Sequence, residues 1–333
     1  MVIKNPAFLF PGQGAQYQGM ALDIFEAGGA AVKELFALAS EVMGQDMRAL
    51  IGEADGETLK RSDISQPTIT LANLAAAVYL EEQGILPGAC AGFSLGEYAA
   101  LVTAGVVDAE TCFRLVKVRG KAMQDAVSRL QGCPAGGAEA AQPPGMAAVL
   151  GLDPEKVEAL ILQWKAEGLF ELYGANFNSR SQVVVSGTAA ALAEAEIRFK
   201  EAGARRVVRL QVAGPFHSPL IAGAAEVFGP VLAAAKFKDP SVPLFSNVSG
   251  GPIASGAEAK ALALRQITEP VRWTTEEGGL AALGIDAVLE TGPGKVLQGL
   301  WKDAETGIPC FAAGTVADIE TLIGWRLEEK QGA

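Results

Sequence analysis

The chain has 333 residues, half of them apolar and a fifth charged, with a formal net charge of -11. That length allows two domains or one large domain with an insertion, and the apolar fraction calls for a substantial core and excludes disorder. The acidic balance excludes nucleic acid as a partner, since phosphate binding needs an excess of Lys and Arg. Four scattered cysteines (Cys90, Cys112, Cys133, Cys310) form no C-x-x-C pair, which excludes a metal or disulfide framework and fits a reducing cytosol. Met1 to Phe10 carries one Lys and an apolar run broken by Pro6, which is no secretory signal. The longest apolar run, Leu71 to Leu80, falls short of the roughly 18 residues a spanning helix needs.

In chain order, Ala7 to Phe10 predicts a first strand, stopped by the turn Pro11-Gly12-Gln13-Gly14. A helix is expected over Thr68 to Gln83, with Pro67 in its first turn and Gly84 as its stop. Ala89-Cys90-Ala91 carries little strand signal of its own and leads into Gly92-Phe93-Ser94-Leu95-Gly96 and an apolar helix ending near Gly105. A further helix runs from Asp108, as N-cap, to Arg129. Residues 131–145, rich in Gly, Ala and Pro, read as a linker and a boundary.

Beyond it the pattern predicts strand Met146–Leu152, helix Pro154–Glu167 and strand Leu169–Asn176. Strand Gln182–Ser186, helix Ala189–Ala202 and strand Arg205–Val212 follow. This β-α-β-β-α-β order is that of a ferredoxin-like unit. A helix then opens at Ser218-Pro219, and a strand is expected at Pro243–Asn247. The next helix runs to Gln266, with Pro270 barring its continuation, and Thr274 with Glu277 fits a capping box. Ala287–Glu290 and Pro309–Ala312 complete the sheet. The expected fold class is α/β: a large α/β-hydrolase-like domain (1–143 and 214–333) with an inserted small ferredoxin-like α+β subdomain (144–213).

Gly92-x-Ser94-x-Gly96 matches a nucleophile elbow between strand and helix, where a sharp turn lifts a serine hydroxyl and leaves no room for side chains two positions away. An ordinary tight turn with Ser94 as an N-cap has the same pattern. A serine needs a base, and His217 is the only imidazole in the chain. Its place before a predicted helix N-terminus favours the neutral, proton-accepting form. A lone loop histidine satisfied by backbone is the alternative. No carboxylate stands out to orient the ring, but a helix leaves its last carbonyls unpaired, and Gln266 stands at such an end.

In the helix from Asp108, the apolar stripe Cys112, Leu115, Val116, Ala122, Met123 and Ala126 passes through Arg119. A buried guanidinium needs an anionic partner, either an internal Asp or Glu or a substrate carboxylate. Gly12-Gln13-Gly14 does not open a dinucleotide fold, because Tyr17 breaks the G-x-G-x-x-G pattern.

Taken together, the chain resembles the malonyl-CoA:acyl-carrier-protein transacylase family over nearly its whole length. The resemblance rests on Phe8–Gln16, Ser65-Gln66-Pro67, Gly92–Leu101, Val118–Lys121, Asn176–Ser179, Gly214–Leu220 and Thr291–Leu297. It implies Ser94 as acyl-enzyme nucleophile, His217 as general base oriented by the Gln266 carbonyl, and Arg119 as clamp on the malonyl carboxylate. The amides of Gln13 and Leu95 would form the oxyanion hole. It implies a ping-pong transfer from malonyl-CoA to the phosphopantetheine thiol of acyl carrier protein, with no cofactor and no metal.

Family members usually carry His where this chain has Phe93, so the acyl pocket beside Ser94 is expected to be more apolar. Arg198, Lys200, Arg205, Arg206 and Arg209 are candidates for carrier docking, or simply a solvated face. A cytoplasmic monomer is expected. The same Ser–His pair would serve a thioesterase or acyl hydrolase, and the fold alone would serve a carrier-binding scaffold.

Overall fold

The computed structural model describes residues 3–132 and 143–331, without the side chains of 325–331. The linker expected at 131–145 therefore lies largely outside the described residues, at 133–142. Eight strands form among the described residues: β1 (Pro6–Phe10), β2 (Ala89–Gly92), β3 (Gly145–Leu150), β4 (Leu172–Ser179), β5 (Gln182–Gly187), β6 (Arg206–Arg209), β7 (Ala287–Glu290) and β8 (Cys310–Ala312). They make two four-stranded sheets, β2-β1-β7-β8 and β4-β5-β3-β6. The first is parallel throughout and the second antiparallel throughout.

The parallel sheet is covered on both faces, which is why β1 reads as an unbroken apolar run. Phe8, Phe10, Cys90 and Leu289 face the main core, while Ala7, Leu9, Ala91 and Val288 face a second cluster with Trp273 and Trp301. The antiparallel sheet alternates between two cores in the same way. Ala147, Val149, Val183 and Val185 pack under the helices Pro154–Ala166 and Ala189–Glu201, with Trp164 and Phe199. Met146, Ala148 and Val184 point the other way, into the main core. A one-residue slip would exchange the two sets, so the register is firmly set.

Several boundaries differ from expectation for identifiable reasons. The helix expected from Thr68 begins at Ser62 and runs to Glu82, with Pro67 inside it. Its first turns are held by tertiary packing: the Ser62 amide donates to Gln124 Oε1 at 3.0 Å, and a side chain at Gly120 would strike the Ser62 carbonyl. The strand expected from Leu169 starts at Leu172, because the Leu169 amide closes the preceding helix on the Trp164 carbonyl (2.9 Å) after Gly168 at φ +105°.

Pro243–Asn247 forms only isolated bridges, Leu244 to Cys90 and Phe245 to Pro252, rather than a strand. The ladder stops there because the Ser246 amide turns to Gly251 and the Asn247 amide to Glu97. No capping box forms at Thr274 and Glu277. The helix there spans Trp273–Ala281 with Arg272 as N-cap, and Glu277 is turned into the core. Ser218 does not cap a helix either: its hydroxyl donates to the Pro215 carbonyl (2.6 Å), and a 3-10 turn, Pro219–Ile221, precedes the helix Ala222–Ala234.

Candidate active site

Ser94 lies between β2 and the helix Gly96–Thr103, at φ +51°. Left-handed backbone in a residue with a side chain is disfavoured, and it raises the hydroxyl above the turn. The flanking glycines are steric necessities. A Cβ at Gly92 would overlap the Gly96 backbone, one at Gly96 the Phe10 carbonyl, and one at Gly12 the Phe93 carbonyl. Gly12 thus lets the Gln13 turn lie against the elbow. Among the described residues, the backbone amides of Gln13 and Leu95 donate to no protein acceptor.

His217, also left-handed at φ +54°, is buried and places Nε2 2.8 Å from Ser94 Oγ. Its Nδ1 faces two backbone carbonyls, Gln266 at 2.9 Å and Glu269 at 3.1 Å. Two acceptors at Nδ1 require the proton there, so Nε2 carries the lone pair that accepts the Ser94 hydroxyl proton. Gln266 stands where expected, at the end of the helix Gly256–Arg265, and Glu269 is a second orienting carbonyl the sequence reading missed. Burial, with the Arg119 charge adding to it, pushes the His217 pKa down to about 4, against the pull of the two carbonyls. The neutral form is therefore held by burial and a neighbouring cation, not by the helix N-terminus first expected to favour it, since that helix begins only at Ala222.

Arg119 sits on the buried stripe of the helix Ala109–Gly132, 1% exposed. Nη1 donates to Gln66 Oε1 (2.8 Å) and Nη2 to Gln266 Oε1 (3.1 Å), and the guanidinium carbon lies 5.3 Å from the Tyr98 ring centre. Nε has no acceptor. Among the described residues no carboxylate pairs with Arg119, so the internal ion pair held open by the sequence is not formed. Two neutral amides hold the fork and leave donor capacity for an incoming anion. Burial lowers the Arg119 pKa from its ordinary value. Phe93 packs edge-on against Trp273, with ring centres 5.3 Å apart.

A buried polar layer beneath the elbow went unread in the sequence. Asn247 Oδ1 accepts the Ser94 amide (2.7 Å), and its Nδ2 donates to the Gly92 carbonyl (2.7 Å) and to Glu276 Oε1 (2.8 Å). Glu97 Oε2 accepts from the Asn247 amide (2.9 Å) and from Gln266 Nε2 (3.0 Å). Burial raises the Glu97 pKa to about 7, against those two donors and Arg119. The only local signal was a glutamate in the first turn of a very apolar helix. Of the proposed basic patch, Arg198 is tied to Glu167 (2.7 Å) and Glu194 (2.8 Å), Lys200 to Glu196 (2.7 Å), and Arg209 donates to the Ala189 carbonyl (3.1 Å). Arg205 and Arg206 stay exposed.

Residues 7–317 match the family described as the acyl transferase domain. The chain is 39% identical over 328 residues to a malonyl CoA-acyl carrier protein transacylase of Bacillus subtilis, covering 98% of this chain and 99% of that protein. It is 39% identical over 297 residues to the enzyme of that name from Escherichia coli, covering 89% and 91%. The fold superposes on the corresponding Streptococcus pneumoniae structure with a TM-score of 0.87 at 34% identity, covering 96% and 99%. It also superposes on a malonyl-transacylase solved with a type II PKS acyl-carrier protein, with a TM-score of 0.85 at 34% identity, covering 96% and 99%. The chain is an acyltransferase and belongs to the malonyl-CoA:acyl carrier protein transacylase family.

Proposed function

We propose that this enzyme moves the malonyl group of malonyl-CoA to the phosphopantetheine thiol of acyl carrier protein through a malonyl-Ser94 intermediate. The observation that carries the mechanism is the 2.8 Å contact from Ser94 Oγ to His217 Nε2, with Nδ1 held by two carbonyls. His217 takes the hydroxyl proton as Ser94 Oγ attacks the thioester carbonyl. The developing oxyanion is met by the free amides of Gln13 and Leu95. Collapse expels the CoA thiolate, which takes the proton from His217. The carrier thiol then gives its proton to His217 and attacks the ester, and the departing Ser94 oxygen takes that proton back from His217. Arg119 binds the malonyl carboxylate through its fork, and Phe93 with Trp273 lines the apolar side of the elbow.

We also read residues 1–143 and 214–333 as an α/β-hydrolase-like domain and 144–213 as a ferredoxin-like insertion, on the order β4-β5-β3-β6. We keep the expectation that the enzyme works in the cytoplasm as a monomer; among the described residues no helix is long and apolar enough to cross a membrane. Every step above is assigned to protein groups.

Mixing the enzyme with malonyl-CoA and reading its intact mass should give one malonyl adduct, which disappears when holo carrier protein is added as the carrier gains the same mass. Release of CoA without an adduct would point to hydrolysis instead. No adduct and no release would leave only a scaffold.

The acylation rate should depend on pH through His217. Its pKa lies at about 4, so the base is free above that value and protonated below it. Single-turnover acylation should be flat from about pH 5 upward and fall about tenfold per unit below about pH 4. A midpoint near the ordinary histidine value would show that burial and Arg119 do not hold the ring down in the working enzyme.

The carrier surface is narrowed to Arg205 and Arg206, because the other basic residues of that run are already engaged. Charge reversal at both positions should slow transfer to the carrier by about tenfold at low salt and leave acylation by malonyl-CoA unchanged. Equal transfer rates would remove this patch from the docking site.

A further inference from the structure

The malonyl-transfer mechanism uses the Ser94 hydroxyl but says nothing of what keeps Ser94 in a conformation its backbone disfavours. A left-handed residue with a side chain persists only where its surroundings over-determine it. At φ +51°, Ser94 is such a residue, and Asn247 is the side chain that grips it.

We infer that Asn247 is a positioning residue for the nucleophile, holding the Ser94 elbow in register with His217; this rests on the malonyl-transfer reading above. Asn247 is fully buried and lies 153 residues along the chain from Ser94. It binds the elbow on both sides: Oδ1 accepts the Ser94 amide at 2.7 Å and Nδ2 donates to the Gly92 carbonyl at 2.7 Å. One side chain must accept from one peptide and donate to the other, and only a carboxamide offers both at fixed geometry. Asn247 is itself fixed. Its backbone amide donates to Glu97 Oε2 at 2.9 Å, its second Nδ2 hydrogen goes to Glu276 Oε1 at 2.8 Å, and its carbonyl accepts the Arg272 amide at 2.8 Å.

The same layer reaches the base and the clamp. Gln266 Nε2 donates to the Ser94 carbonyl (3.0 Å) and lies 3.3 Å from Asn247 Oδ1. The Gln266 carbonyl orients His217, and its Oε1 accepts from Arg119. Among the described residues Asn247 makes no hydrogen bond with Arg119 or Gln66, and without it Gln266 keeps its shorter bonds to the Ser94 carbonyl and Glu97 (3.0 Å each), so loss of Asn247 disturbs the attacking atom and leaves the grip on the malonyl carboxylate in place.

The test is single-turnover acylation by malonyl-CoA on the full chain, for wild type, Asn247→Ala and Asn247→Asp, with melting curves alongside. Asn247→Ala should lower the maximal acylation rate on the order of 10²-fold, the effect of a displacement of about 1 Å at the reacting atom, with half-saturation within about threefold of wild type. Asn247→Asp keeps the acceptor for the Ser94 amide but sets a second acceptor against the Gly92 carbonyl and Glu276, so it too should lower the maximal rate. If Asn247→Ala does not fold, Asn247→Asp decides: a lowered maximal rate at unchanged half-saturation supports the role. A wild-type rate in a folded variant, or a loss carried by half-saturation, would overturn it. Failure of wild type to form malonyl-Ser94 would strike the mechanism itself, a result distinct from these.

Discussion

Ser94→Ala should leave the chain unmodified in intact-mass spectra after mixing with malonyl-CoA, and turnover should fall on the order of 10⁶-fold. The loss is large because the hydroxyl is the only atom that forms the covalent bond, while the base and amides alone can only assist water. The variant should fold. Ser94 is held through its amide to Asn247 and its carbonyl to Gln266, and both bonds survive removal of the hydroxyl. A melting temperature within a few degrees of wild type would check this. A malonyl adduct persisting on Ser94→Ala would place the nucleophile elsewhere and dismantle the mechanism.

Arg119→Ala should lower kcat/KM for malonyl-CoA about 10²–10³-fold, the scale of removing one partner from a buried hydrogen-bonded charge pair. Acetyl-CoA, which has no carboxylate to lose, should react no more slowly than with wild type, so discrimination between the two esters collapses. A second signature follows from electrostatics. Arg119 helps to hold the His217 pKa low, so removing it should move the acid limb of the acetyl reaction to higher pH. If malonyl and acetyl transfer fall equally, Arg119 is a structural cation and the carboxylate is read by another group. Arg119→Lys should recover only part of the loss, since an ammonium cannot reproduce the two-pronged fork.

The chemistry-bearing residues were legible because each is tied to a local constraint. The Gly-x-Ser-x-Gly spacing reports a turn too tight for side chains, and the overlaps at Gly92 and Gly96 are its physical content. A chain with one histidine leaves a serine one imidazole base to use. Arg119 was found because a cation on an apolar helical stripe breaks the pattern around it. The order of the second sheet's elements could also be read, as β-α-β-β-α-β, while Ala89-Cys90-Ala91 left little strand signal for the first. Misplaced element ends had two kinds of cause. Pro67 and Thr274 carry strong local signals for helix starts, yet those starts are set by contacts with distant chain, Gln124 beneath Ser62 and Asn176 paired with Val271, whereas Ser218 is diverted by the nearby Pro215 carbonyl that accepts its hydroxyl.

By itself, then, the sequence determined the α/β class, the elbow, the lone imidazole and the buried guanidinium, because turn sterics, residue counts and helical periodicity act over a few residues. Only the tertiary structure decided how these become a site. It withheld an internal carboxylate from Arg119, set the tautomer of His217 with two carbonyls, and engaged Arg198 and Lys200 of the basic run in ion pairs. It also placed Asn247 and Glu97 beneath Ser94. Those bonds join residues about 150 positions apart, and a buried hydrogen bond leaves no periodicity in either partner's neighbourhood. It is decided by which surfaces the two cores bring face to face.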